Sequence, residues 1–354
     1  MGVKGLNSII NKYAQNGINK KYLKIYKNKK IAIDTNLYLY KYSYDNNNMI
    51  DGFFFQINKL KKFNITPIYI FDGKPPEEKK NTILSRKNTK LKLKKKINTL
   101  EEELKLLDQQ FIDKNNLEYL KKKKDINEKI KKYQKGIIYI TKNDIDKVKM
   151  LFKLMGVVYI EANCESEHYC SKLINEKLVD LVLTEDMDTL ACGANFVLKN
   201  FSNKSDFIIE YDTEKILESL KLSKKEFIDL CILCGNDYIN RLKGYNPYEI
   251  YHLVCKHKNI ETIYSRFNLT KGNKYKIIRN IYNLHDIDIS KFNYIYKNYN
   301  RSINKPELTK FLKNFSNMDD FTYKKRINLM LSNKNFYKSD YILKLQNLKI
   351  NKNL

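Results

Sequence analysis

The chain has 354 residues and carries 67 Lys and Arg against 40 Asp and Glu, a formal net charge of +27. That length can bury a sizeable core, as one large domain or one plus an appendage, and that charge selects a polyanion, nucleic acid or an anionic membrane surface, as partner. No run of about 20 apolar residues exists, which excludes a membrane-spanning helix, and MGVKGL lacks both a signal-peptide pattern and the Ser or Thr at position 6 of an acylation signal, so nucleic acid is the better partner.

In chain order, residues 30–36 (KIAIDTN) predict a short buried strand carrying Asp34. Residues 51–63 have apolar positions at helical spacing, and PIYIF (67–71) predicts a second strand, followed by Asp72. Between Lys79 and Lys135 there is no Gly or Pro, and 19 Lys and Arg stand against eight Asp and Glu. This stretch predicts one or two long helices, as a hairpin turning near Asp113–Asn116. Because it leaves just after Asp72 and returns at the next strand–helix unit, it should project over whatever Asp72 belongs to.

Residues 144–155 predict a helix, 157–160 a strand and 165–177 a further helix with Glu165 and Glu167 at its start. DLVLTEDMD, FVLKNF and FIIEYD supply more strands. Residues 222–238 predict a helix ending near Gly235, and 241–257 another after a Gly–Pro turn; backbone N–H groups at the second helix's start would face a duplex phosphate. Residues 258–354 read as helical, basic and Asn-rich, with no assignable chemistry. Strands alternating with helices predict a mostly parallel α/β sheet. Ligands bind beyond the carboxyl ends of such strands, where Asp34, Asp72, Asp186 and Asp188 fall.

Seven acidic residues therefore gather at one predicted sheet edge or on the helices after it: Asp34, Asp72, Glu165, Glu167, Asp186, Asp188 and Asp237. Such a cluster cannot stay ionised unaided, because like charges and burial both raise carboxyl pKa values. Hard oxygen donors without a thiolate or histidine set suit Mg²⁺ or Mn²⁺. An acidic, metal-loaded pocket in a basic protein suits phosphodiester hydrolysis. Glu165 and Glu167, two apart, do not share a helix face and should straddle an N-terminal turn. Cys231 and Cys234 form a CxxC with no second pair at metal spacing, which argues against zinc. His168 reads as a surface or supporting residue rather than a general base. Lys121–Lys124 is an ordinary run in this composition. Six scattered cysteines point to a reducing, intracellular compartment.

MGVKGLNSII, IAIDTN, IYIFDGKPPEEKK, CESEH, LVLTEDMDTLACG and FIDLCILCGNDYINRLKGYNP occur here in an order that resembles the flap endonuclease family of structure-specific 5′ nucleases. The resemblance covers roughly residues 1–260. It implies a mixed sheet with helices on both faces, a helical arch (79–135) between an N-terminal region (1–78) and an internal region (136–236), and a helix-two-turn-helix motif (237–257). A basic helical extension (261–354) would follow. It also implies two-metal hydrolysis with Mg²⁺, Mn²⁺ being able to substitute, at a DNA 5′ flap or duplex end, leaving a 5′-phosphate. Lys79 and Arg86 match the family's catalytic basic pair on the first arch helix. Tyr40 matches the aromatic on which a nucleobase stacks, and Gly2 the glycine that packs at the DNA. Gly244 and its neighbours match a K⁺-assisted phosphate clamp.

The chain departs from the pattern in places. Asn246 stands at the clamp's second glycine position, where a left-handed φ would cost it energy. The 40–51 segment is shorter, and the arch longer, than in cellular members. No C-terminal Gln-hydrophobic-aromatic box for a sliding clamp is evident. The expected activity is 5′ flap cleavage by a monomer on flapped or branched DNA at sites of replication. A 5′→3′ double-strand exonuclease of the same superfamily and a non-catalytic DNA-binding relative are the alternatives.

Overall fold

A computed structural model describes residues 2–44, 48–110, 116–267, 273–284 and 287–332. Its strands are β1 (Ile18–Tyr22), β2 (Lys30–Asp34), β3 (Thr66–Phe71), β4 (Val158–Glu161), β5 (Leu181–Leu183), β6 (Phe196–Lys199) and β7 (Phe207–Asp212). They form one seven-stranded sheet in the order β1-β7-β6-β5-β2-β3-β4. The β6-β5-β2-β3-β4 pairs are parallel, as predicted, and β7 and β1 add antiparallel pairs at one side. Sequence reading missed β1: INKKY is half-buried and polar, so it lacks the compact apolar run that marked the other strands.

Alternation along the central strands divides the core. Ala32, Ile68, Ile70 and Val182 face one layer of helices, whereas Ile31, Ile33, Tyr69 and Leu183 face the other. Preceding or joining the strands are α1 (Leu6–Tyr13), α2 (Thr35–Tyr44), α3 (Met49–Lys62), α4 (Lys80–Gln110), α5 (Leu117–Lys135), α6 (Lys142–Leu154), α7 (Ser166–Asn175), α8 (Asp188–Ala191) and α9 (Thr213–Leu220). After the sheet come α10 (Lys224–Cys234), α11 (Pro247–His257), α12 (Ile260–Arg266), α13 (Lys274–Asn283), α14 (Lys291–Asn298), α15 (Lys305–Phe315) and α16 (Asp320–Ser332).

Helices α4 and α5 form the expected hairpin and pack through their own small core of Ile97, Leu107, Tyr119, Ile126 and Ile130. At 31 residues, α4 is about 46 Å long at 1.5 Å per residue. Residues 111–115, which include most of the predicted turn, lie outside the described residues; Asn116 caps α5 by accepting the Glu118 N–H at 2.8 Å.

Helices beyond residue 260 pack into the same two core layers. Ile278 and Tyr282 of α13 and Phe292 of α14 belong to one core layer. Leu308 and Leu312 of α15, with Tyr323 and Ile327 of α16, belong to the other. These apolar stripes sit at helical spacing but are diluted by Lys and Asn, which hid them in the sequence. The helical reading of residues 333–354 lies outside the described residues.

One ion pair ties α13 to the body. Asp229 of α10 is fully buried and accepts both Arg279 Nε and Nη2 at 2.6 Å, with the Ile260 N–H at 3.1 Å. Arg279 also reaches Glu261 at 2.5 Å. Removing one partner of such a pair strands a buried charge, at a cost of about 3–5 kcal/mol. Arg279→Ala should therefore lose about that much unfolding free energy in urea titrations; a loss comparable to that of an exposed arginine would mean that α13 is not anchored this way.

Candidate active site

The parallel strands deliver acidic residues to one edge because each ends its apolar run there. Asp34 closes β2 and is buried. Its Oδ2 accepts the Thr184 hydroxyl just past β5 at 2.9 Å, and its Oδ1 accepts Ser166 Oγ at 2.8 Å. Asp72 follows β3; its Oδ1 accepts Ser166 Oγ at 2.6 Å and the Ser166 N–H at 2.9 Å. Asn36 donates to the other Asp72 oxygen at 2.5 Å.

Glu165 is the N-cap residue of α7 and Glu167 lies in its first turn, so the pair straddles the helix start as expected, both buried. Asp186 and Asp188 lie in the turn and short helix after β5. The Asp188 N–H donates to Asp186 Oδ1 at 2.9 Å. Asp237 lies in the turn after α10.

Cations enter from the arch. Lys79 closes a short 3₁₀ turn one residue before α4, rather than lying within that helix, and its ammonium is buried. It is paired with Glu165, lies 3.2 Å from Asp237 and 3.8 Å from Glu167. Burial opposes its charge, yet Glu167, Glu165 and Asp237 hold its pKa above the ordinary lysine range. Arg86, two turns along, donates Nη2 to both Asp237 oxygens at 2.8 Å. Lys79 and Arg86 thus share a face of the arch and converge on one carboxylate.

Even with these cations the acids are crowded. Burial, then Asp72, raises Asp34 to about 7. Burial and Glu165 push Glu167 well above its usual range; burial and Asp186 do the same to Asp188. Burial also raises Asp186. Ser166 has one hydroxyl proton for two facing carboxylates, so one contact lacks a donor unless one carboxyl is protonated or a cation is added. Oxygen-rich, mutually repelling donors of this kind fit divalent cations.

His168, next to Glu167, is buried rather than on the surface. Its ligating atom lies within 4.8 Å of those of Glu165 and Glu167. Burial lowers it to about 4, so the imidazole is neutral at ordinary pH. Tyr238 lies 3.3 Å from His168 Nε2 and donates to Glu165 at 2.8 Å. Sequence reasoning missed Ser166, Thr184, Tyr238 and Tyr282, whose hydroxyl donates to Asp188 Oδ1 at 2.9 Å. The first lay in plain view between Glu165 and Glu167; the others carried no local signal.

Among the expected DNA contacts, Gly2 has φ +78°, and a Cβ there would overlap Asp186 Oδ1, so only glycine fits beside the acids. Tyr40 on α2 is 46% exposed, with the Lys90 ammonium of α4 5.4 Å from its ring centre. Gly244 needs glycine for its φ of +87° rather than for space, since a Cβ would meet nothing within 4 Å. Asn246 departs from expectation. Its φ is −82°, not left-handed, and it caps α11 by accepting the Tyr248 and Glu249 N–H groups at 2.9 and 3.1 Å. Pro247 has no N–H, so the donors expected to face a phosphate are already satisfied within the protein. Asparagine is a preferred N-cap, and that preference decided its conformation.

The raised carboxyls fix the sign of a pH effect. A carboxyl whose folded pKa exceeds its unfolded value binds a proton on folding, so its contribution is lost as pH rises through the folded value. For Asp34 that window runs from its ordinary 3.8 to about 7. In the metal-free protein this group should therefore favour folding less at pH 8 than at pH 5, and Asp34→Asn should flatten the difference in Tm. Ca²⁺ should raise the Tm more at pH 8 than at pH 5, because protons compete for the same oxygens. Equal Ca²⁺ gains at both pH values in thermal melts would count against a carboxylate metal site.

Comparison with known proteins agrees with this geometry. The XPG N-terminal domain matches residues 1–93 and the XPG I-region matches residues 156–237. Flap endonuclease 1 of Entamoeba histolytica is 33% identical over 314 residues, covering 82% of this chain and 77% of that protein. Flap endonuclease 1 of Aedes aegypti is 32% identical over 288 residues, covering 77% of this chain and 70% of that protein. Among solved structures, the catalytic core of Rad2 in complex with DNA substrate superposes with a TM-score of 0.62 at 22% identity, covering 93% of this chain and 100% of that one. Flap endonuclease-1 from Methanococcus jannaschii gives 0.61 at 23% identity, covering 89% and 96%. With matches of this extent falling on the segments that supply all seven acids, the chain belongs to the flap endonuclease family.

Proposed function

We propose that the protein is a structure-specific nuclease that cuts DNA at 5′ flaps and leaves a 5′-phosphate. The observation that carries this reading is the convergence of seven carboxylates at one sheet edge with Lys79 and Arg86 of the arch directly over them. The relatives named flap endonuclease 1 and the DNA-bound Rad2 core support DNA as the substrate.

Asp34, Asp72, Glu165, Glu167, Asp186, Asp188 and Asp237 would hold two Mg²⁺ ions, or Mn²⁺ in their place. Such ions supply polarisation of the attacked phosphate and of the attacking water. Lys79 and Arg86, now paired with Glu165 and Asp237, would turn to the scissile phosphate and stabilise charge that develops on it. The exposed ring of Tyr40 offers a stacking surface for a base beside that phosphate. Gly2 keeps side-chain bulk away from Asp186. Duplex phosphate would approach the open backbone at Gly244, with K⁺ as the counter-ion, and Asn246 would shape that turn as a helix cap. The arch would admit a single strand, and its lysines would attract it.

The reading extends to working as a monomer inside the cell, where DNA is replicated, and free thiols at all six cysteines suit that compartment. No helix among the described residues is long and apolar enough to cross a membrane.

Asp186→Asn and Asp188→Asn should each abolish Mg²⁺-dependent cleavage while leaving flap-DNA affinity within several-fold of the parent. Lys79→Ala and Arg86→Ala should each slow single-turnover cleavage by about 10²-fold, the scale of one lost charge stabiliser, with little change in affinity. Neutralising two residues of Lys121–Lys124 should instead weaken binding alone. Mapping products on 5′-flap, nicked and blunt duplexes decides the class: release of the intact flap supports the reading, whereas mononucleotides from every 5′ end indicate the exonuclease. Affinity should also fall by roughly 0.9 log units per log unit of salt for each phosphate contacted; a flat response would exclude the basic surface as the DNA-holding element.

A further inference from the structure

The metal-site acids lie within the segments 1–93 and 156–237 that define the family, yet two phenols from outside both reach them: Tyr238, one residue past the second segment and bonded to Glu165, and Tyr282, far beyond it. Tyr282, on α13, is fully buried. Its hydroxyl donates to Asp188 Oδ1 at 2.9 Å and accepts from Asn236 Nδ2 at 2.7 Å. Asn236 in turn holds the turn that carries Asp237, its Oδ1 accepting the Tyr238 and Ile239 N–H groups at 2.9 and 3.0 Å. One phenol therefore links two carboxylate-bearing segments.

A side-chain carboxylate turns about its terminal torsion with little resistance, since sp³–sp² torsions are broad. Asp188 stands beside Asp186, whose Oδ1 accepts the Asp188 N–H at 2.9 Å, so a partner on its own carboxylate decides which way its oxygens are presented. A hydrogen bond to one oxygen fixes the plane of the group and leaves the other oxygen to face a cation. Partners of this kind behind metal ligands change metal affinity by about 10- to 100-fold when removed.

We propose that Tyr282 is a positioning residue that orients Asp188, and through Asn236 the Asp237 turn, so that α13 sets the affinity of the metal site. This rests on the metal-site reading above. It gives the region after residue 260 a part in the chemistry: Arg279, one turn before Tyr282, locks the same helix onto α10.

The test uses the full chain and the variant Tyr282→Phe, which keeps the ring and its edge contact with Tyr238 (centroids 6.2 Å apart) and removes only the hydroxyl. Mn²⁺ binding is measured without DNA by electron paramagnetic resonance, and single-turnover flap cleavage is followed across a Mg²⁺ titration. Tyr282→Phe should bind Mn²⁺ about 10-fold or more weakly. Its half-saturating Mg²⁺ should rise by a similar factor, while the rate at saturating Mg²⁺ recovers to within a few-fold. Ile278→Val, which loosens the packing of the same helix but leaves the phenol, should lower Tm without changing metal affinity.

If Tyr282→Phe binds Mn²⁺ like the wild type while Asp188→Asn is weakened, the role of Tyr282 is overturned and the metal site stands. If Ile278→Val loses as much metal affinity as Tyr282→Phe, the effect is packing and the proposal also fails. If wild type and Asp188→Asn bind Mn²⁺ equally, the metal-site reading itself falls, and this proposal with it.

Discussion

Mutual repulsion among carboxylates is the constraint around which this molecule is organised. Asp34, Glu167, Asp186 and Asp188 are all held above the normal acid range, with burial the largest cause in each case. A pocket like this costs stability unless positive charge is brought into it. Hydrogen bonds alone answer only part of the repulsion, because Ser166 and Thr184 each have one proton to donate. Two positive groups from the arch answer more, through Lys79 and Arg86. The rest calls for divalent cations, and the donor chemistry suits them.

The fold serves that constraint by geometry. Parallel strands end in register, so Asp34 and Asp72 on adjacent strands reach the same edge without any special local conformation. The adjoining turn at Thr184 and the start of α7 close the cluster from two further sides. Both faces of the sheet are covered by helices, which removes water from the strands and leaves the carboxyl edge as the polar opening. The arch stands on its own small core, so its long basic helix holds its course beyond the body while its base delivers cations to the acids. Charge is thereby sorted: acids inside at one edge, lysines outside and along the arch.

Completion of the core extends well past the segments that carry the family's acids. Helices α13 to α16 close both layers, and the buried Asp229–Arg279 pair would be costly to break. A region that reads as a basic tail in the sequence is therefore part of the structural support of the site, with Tyr282 at the contact point.

Much of the molecule is legible in its sequence. Apolar runs ending in Asp34 and Asp72 mark strands, the absence of Gly and Pro from 79 to 135 marks a helical arch, and the acids announce themselves by chemistry. Those features are local, set by backbone propensity and by residue type over a few positions. What the sequence leaves open depends on atoms far apart in the chain. β1 forms because β7 pairs with it, not because INKKY favours a strand. Asn246 could in principle have turned left-handed, but capping α11 was the cheaper conformation. That Ser166 bridges Asp34 and Asp72, that His168 is inside, and that Tyr282 meets Asp188 across 94 positions are decisions of packing alone. Composition and order of motifs thus determined which groups the site would contain; only the tertiary structure decided which hydrogen bonds hold them, because hydrogen bonds act over about 3 Å and no local pattern encodes that approach.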